Sequence, residues 1–152
     1  MESKNQPLAN PKDKRILIVD DDTNVLTFLE MAAQLEGFDV VTATNGTEAA
    51  EKVAQRPPDL IITDLMMPGQ GGYEFIRALQ GAGNASIPII VVSGSHIEAT
   101  TVAMIRQEAN VVEFLRKPVP MNTLADSLHH VLHTAAPPKE QSPGINERPK
   151  PS

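Results

Sequence analysis

Cysteine is missing from the chain altogether. Its absence rules out disulfides, thiolate metal sites and a cysteine nucleophile, so the core must hold together by packing alone, as suits a reducing compartment. Basic residues are in short supply too: thirteen against nineteen acidic ones give a formal net charge of −6. That balance argues against a protein whose affinity comes from neutralising nucleic-acid phosphates. Long apolar runs are also lacking. No segment approaches the roughly 18 apolar residues of a membrane span, and the first residues, MESKNQPLANPKDKR, lack the apolar centre of a secretory signal. A cytoplasmic location is expected, with no membrane insertion and no direct nucleic-acid binding.

A chain of 152 residues has room for one compact core. Seven of its thirteen prolines lie near the ends, so residues 1–13 and 135–152 are expected to be disordered tails, the second a Pro-rich tail or linker, around a domain over 14–134. Within that domain, short β-branched runs alternate with amphipathic stretches. Ile16 to Val19 is apolar throughout, as in a strand buried on both faces. Val25, Phe28, Leu29, Ala32 and Leu35 follow at helical spacing, with Gly37 as a stop. Val40 to Ala43 predicts a second strand, then a helix near Thr47 to Gln55 that Pro57 and Pro58 end. Leu60 to Ile62 forms the third strand, Phe75, Ile76 and Leu79 the next helix, and Ile87 to Val92 the fourth strand. A blurred helix over Ile97 to Glu108, a strand at Val111 to Leu115 and a helix marked by Leu124, Leu128, Val131 and Leu132 complete five strand–helix repeats. Such alternation implies an α/β fold, a doubly wound parallel sheet with helices on both faces and ligand chemistry at the carboxyl ends of its strands.

Those ends carry Asp20, Asp21 and Asp22 after the first strand, Asp64 after the third, Ser93 after the fourth and Lys117 just past the fifth. Crowded carboxylates repel one another, and a hard divalent cation resolves the conflict. A few oxygen ligands beside a phosphoryl group suit Mg²⁺, with Mn²⁺ as a substitute. An aspartate fixed at a strand end is a competent nucleophile toward phosphorus, which makes Asp64 the candidate acceptor. Lys117 can pair with phosphoryl oxygens, and the Ser93 hydroxyl can donate to another. Asp22 is read as a helix cap, and His129, His130 and His133 as residues that solvate a helix end rather than bind metal.

Motif by motif, Lys14 to His133 resembles the receiver domains of two-component response regulators, in particular the single-domain, chemotaxis-regulator-like kind. ILIVDDD at Ile16 to Asp22 looks like that family's acidic pair, DLIITDLMMPGQGGYEF at Asp59 to Phe75 like its phosphoacceptor segment, PIIVVSG at Pro88 to Gly94 like its switch strand, and FLRKP at Phe114 to Pro118 like its lysine–proline turn. The resemblance implies a flavodoxin-like sheet of five strands in the order 2-1-3-4-5 with five helices. It implies Asp64 as phosphoacceptor, Asp20, Asp21, Asp64 and the Met66 carbonyl as Mg²⁺ ligands, Ser93 and Phe114 as the switch pair, and a cis Lys117–Pro118 bond. The triple aspartate leaves the register of the acidic pair open by one residue. Asn110 departs from the family, which often has glycine there, though asparagine tolerates a left-handed backbone.

The implied partners are a sensor histidine kinase or histidine phosphotransfer protein as donor, and a downstream protein met through the fourth helix, fifth strand and fifth helix. The chain is expected to be a monomer or a phosphorylation-dependent dimer. It would catalyse its own phosphorylation and slow dephosphorylation without being a conventional enzyme. Alternatives are the receiver part of a larger regulator and a non-phosphorylated scaffold. A haloacid-dehalogenase-type phosphatase would need an aspartate where Met66 stands, and a flavodoxin-like cofactor module would need a glycine- or hydroxyl-rich loop where DDD stands.

Overall fold

In the computed structural model, residues 7–65, 72–94 and 98–137 are described. Five parallel strands, β1 (Arg15–Val19), β2 (Asp39–Ala43), β3 (Leu60–Thr63), β4 (Ile89–Ser93) and β5 (Val111–Arg116), lie in the order β2-β1-β3-β4-β5. Five helices follow them in turn: α1 (Thr23–Leu35), α2 (Gly46–Gln55), α3 (Gly72–Gly81), α4 (Ala99–Arg106) and α5 (Met121–Leu132). This is the doubly wound, flavodoxin-like arrangement that the alternation of strands and helices implies.

Alternation along each central strand divides the core into two layers. Leu17, Val19, Ile61, Ile89 and Val91 point into one, with Phe75, Ile76 and Leu79 of α3 and Ile105 of α4. Ile16, Ile18, Leu60, Ile62, Ile90 and Val92 point into the other, under Leu26 and Leu29 of α1 and Leu124 and Leu128 of α5. A strand clad on both faces can spare no polar position, which is why these runs are apolar throughout. Each such Leu or Ile, fully buried, contributes about 1.5–3 kcal/mol against exposure.

The boundaries differ from the sequence expectation in instructive places. β4 begins at Ile89, not Ile87, because Pro88 has no N–H to give the ladder and the Ile87 N–H is spent in a turn on the Asn84 carbonyl. α4 stops at Arg106 instead of reaching Glu108, and the expected first residue, Ile97, lies outside the described residues. Asn110 is not left-handed: among the described residues the one non-glycine with positive φ is His133, at 56°. Asn110 is instead buried, its side-chain oxygen accepting from Gln80 Nε2 at 3.1 Å. Gly37 does end α1 in the left-handed region, at φ 99°.

The stretch expected as an N-terminal tail is folded over part of its length. Pro11–Asp13 forms a 3₁₀ turn capped by Asn10, and Ala9 pairs in parallel with Thr134. His129 also does more than solvate the end of α5. Its ring nitrogens meet Thr134 Oγ1 at 2.7 Å and Glu36 Oε1 at 2.8 Å, which joins α5 to the end of α1.

Candidate functional site

The ladder itself delivers the acidic side chains. The Asp20 N–H continues the β1 ladder by donating to the Ala43 carbonyl, and the Asp64 N–H donates to the Val19 carbonyl, so both residues sit at the carboxyl ends of neighbouring strands. Asp20 and Asp64 are buried and Asp21 is exposed. One carboxylate oxygen from each of the three lies within 4.8 Å of the others. Of the three consecutive aspartates, Asp20 and Asp21 are the two that stand beside Asp64. Asp22 turns away to cap α1, its Oδ1 accepting from the Asn24 N–H at 2.9 Å and the Val25 N–H at 3.4 Å.

Lys117 reaches into this cluster from beyond β5. Its backbone N–H donates to the Ser93 carbonyl at 2.8 Å, and the Lys117–Pro118 bond is cis. The ammonium stands 2.9 Å from Asp20 Oδ2 and 3.5 Å from Asp64 Oδ2. Burial pulls its pKa down, but the adjacent Asp20 carboxylate, and then Asp64, more than offset this and hold it above the usual lysine value. Ser93 Oγ, fully buried, approaches the other oxygen of Asp64, Oδ1, at 3.5 Å, the long limit of a hydroxyl hydrogen bond. Lysine and serine thus address different oxygens of the same carboxylate.

Two supporting groups escape sequence reasoning. The Asp22 N–H donates to Asp20 Oδ1 at 2.9 Å and orients that carboxylate. Thr63 Oγ1 donates to the Asp64 carbonyl oxygen at 3.0 Å. A polar residue closing the run Leu60 to Thr63 was the available signal for the second; a backbone donor leaves none in the sequence.

Phe114 is buried in the α3/α4 layer, and the guanidinium carbons of Arg106 and Arg116 lie 5.4 and 5.9 Å from its ring centre. Met66 lies outside the described residues. On the other side of Lys117, an apolar recess of about 610 Å³ is lined by Val25, Phe28, Leu29, Pro118 and Val119, among others.

The residues present suit a hard divalent cation. Among the described residues, Asp20, Asp21 and Asp64 offer three carboxylate oxygens to one point. The buried Asp20 Oδ2 meets the Lys117 ammonium at 2.9 Å and has no other polar partner among the described residues. Such an oxygen keeps a lone pair for a metal.

Comparison with known proteins agrees with this geometry. The family described as the response regulator receiver domain matches residues 16–129. The chain is 38% identical over 104 residues to the transcriptional regulatory protein PrrA of Mycobacterium tuberculosis, covering 68% of this chain and 43% of that protein. It is 32% identical over 123 residues to the response regulator MprA of the same species, covering 81% and 52%. It thus spans about half the length, or less, of these curated relatives. A response regulator receiver protein from Pseudomonas putida superposes with a TM-score of 0.73 at 30% identity, over 82% of this chain and 99% of that one. By sequence, fold and the convergence of strand-end residues, the chain belongs to the response regulator receiver domain family of two-component signalling.

Proposed function

We propose that this chain is the phosphoryl-accepting module of a two-component relay, with Asp64 as the acceptor. Phosphorylation and Mg²⁺ are general features of the family, and receiver domains interact with histidine kinases and downstream effectors. The observation that carries the assignment is the convergence of Lys117 and Ser93 on the two oxygens of the buried Asp64. An Asp64 oxygen attacks phosphorus, the bond from phosphorus to a donor imidazole nitrogen breaks, and that nitrogen takes up a proton. Asp20, Asp21 and Asp64, with the Met66 carbonyl, would hold Mg²⁺. The bound ion supplies positive charge against the phosphoryl oxygens. Lys117 exchanges its carboxylate partner for a phosphoryl oxygen, and Ser93, already at long range, moves toward another. Phe114 then follows the volume that Ser93 vacates.

A protein donor is supported by the surface next to the site. The exposed residues of α1 carry no charge, and Asn24, Phe28, Met31 and Leu35 recur at the four-three-four spacing of a helix-packing seam. A helix of a histidine kinase or phosphotransfer protein suits that face. The receiver fold would include the segment from Ala9 to Lys14 that packs beside Thr134 and would work in the cytoplasm; no described helix is long and apolar enough to cross a membrane.

Incubating the chain with acetyl phosphate or a kinase and Mg²⁺ tests the proposal. A hydroxylamine-sensitive phosphate is expected on Asp64, absent in Asp64→Ala and absent with EDTA. A scaffold would stay unlabelled, and a label retained in Asp64→Ala would displace Asp64 from its role.

A further inference from the structure

The side chains over Phe114 carry an uncompensated charge. Phe114 and Arg116 lie two positions apart on the α4 side of β5, and Arg106 is the last residue of α4. Both arginines are exposed, and neither makes an ion pair among the described residues. The acidic groups in the vicinity are engaged or averted. Glu108 is taken up by Arg77 at 3.5 Å and Gln80 at 2.9 Å. Glu113 pairs in register with Ile90, whose side chain belongs to the opposite layer of the core. Two guanidiniums therefore share one ring with no carboxylate to offset their repulsion, in a chain of net charge −6. An exposed guanidinium over a ring gains only about 0.5–1 kcal/mol, so neither arginine is held there strongly.

Apolar surface adjoins them. The β4–β5 register shifts between Ile89 and Ile90, which leaves Val112 as an extra residue, 48% exposed, on the edge strand, and Met104 of α4 is 44% exposed. The bulge also keeps this edge from recruiting another strand, so recognition here falls to side chains.

We infer that Arg106 and Arg116 form the docking point for an acidic segment of a partner protein, one that presents carboxylates together with apolar side chains. Carboxylate binds guanidinium through paired, charge-assisted hydrogen bonds, while Val112 and Met104 take the apolar groups. The overall acidity of the chain sets a nucleic acid aside as occupant. An arginine that turns to a carboxylate uncovers Phe114, so binding is linked to the position of that ring, and the linkage is reciprocal. The inference takes from the receiver proposal only the assignment of α4 and β5 to the output side.

Titrating the isotopically labelled full chain with a capped peptide of alternating Glu and Leu, its Gln-for-Glu twin and a short DNA duplex tests it. The Glu peptide is expected to bind at least about tenfold more tightly than the twin and to shift the Arg106 and Arg116 side-chain N–H signals and the amides of residues 112–116. Arg106→Gln or Arg116→Gln should each weaken binding at least about threefold, and the double variant should lose the preference for Glu over Gln. Equal binding of the two peptides, shifts confined to Lys12, Lys14 and Arg56, undiminished binding by the double variant, or duplex binding through the same arginines would each overturn it. Amide spectra of the variants, whose substitutions are both at exposed positions, check the fold. Acetyl phosphate labelling of the same samples separates the two proposals: Asp64 labelled without peptide preference fails this one alone, and peptide preference without labelling fails only the other.

Discussion

Lys117 holds together a cluster that would otherwise repel itself. Its ammonium stands between two buried carboxylates at 2.9 and 3.5 Å, and breaking such a pair leaves like charges uncompensated. Lys117→Met is expected to destabilise the metal-free protein by about 1–3 kcal/mol, less than for a fully buried pair because the lysine keeps some solvent access. Urea unfolding in EDTA measures this, and added Mg²⁺ should narrow the gap. Because the folded-state pKa of Lys117 lies above the ordinary 10.5, its contribution is complete below that value and is lost as pH rises through the folded-state pKa. The difference between wild type and Lys117→Met should therefore stay constant through neutral and mildly alkaline pH and shrink only as pH rises beyond 10.5. Asp22, beside the cluster, behaves as the cap its position suggested. Asp22→Ala should cost about 0.5–2 kcal/mol in unfolding experiments and leave Asp64 labelling intact, because Asp20 is oriented by the backbone N–H of residue 22 and not by its side chain. The strand-end acids, the serine and the lysine were all legible in the chain. The sequence favoured Asp20 and Asp21 over Asp22 but left the register open by one residue, since identical residues in a row carry no register until a helix start claims one.

Among the elements, α4 was the least legible, and its burial explains why. Ile105 is its one buried residue, and Glu98 at its start makes no side-chain cap. A helix with so narrow a buried stripe leaves little periodicity in the sequence. Its far end is held instead by polar contacts: beyond α4, Glu108 gathers Tyr73 at 3.4 Å, Gln80 at 2.9 Å and Arg77 at 3.5 Å, all from α3. Glu108→Ala should cost about 1–2 kcal/mol, since Gln80 and Tyr73 lose a partly buried acceptor, and should speed amide exchange over residues 104–110 while exchange in α1 and α5 stays unchanged. Uniform acceleration by mass spectrometry would show that Glu108 supports the whole fold instead. The central strands were legible almost to the residue, because burial on both faces forbids polar interruptions.

For the molecule as a whole, the segment before β1 acts as a strap. The Ala9 N–H donates to the His133 carbonyl at 2.9 Å, the Ala135 N–H donates back to Ala9 at 3.0 Å, and Pro11 lies 3.2 Å from where a Cβ on Gly37 would stand. Removing residues 1–9 should lower stability by about 1–2 kcal/mol through the two lost hydrogen bonds. A thermal midpoint lower by a few degrees, with labelling of Asp64 retained, is the expected result; an unchanged midpoint would mean the strap contributes nothing. Proline and polar residues gave this segment the composition of a tail, because the backbone groups that pin it are supplied by residues more than a hundred positions away. The sequence by itself determined the five-fold alternation, the two-sided burial of the sheet and the set of acidic, hydroxyl and cationic residues at its carboxyl edge, since periodicity and charge are local properties of a chain. Tertiary structure alone decided which aspartates lie together, which oxygen of Asp64 faces Lys117 and which faces Ser93, how Arg106 and Arg116 come to share the ring of Phe114, and that Ala9 closes against the residues that follow the last helix. Those are relations between distant segments, and only folding brings such segments within reach of one another.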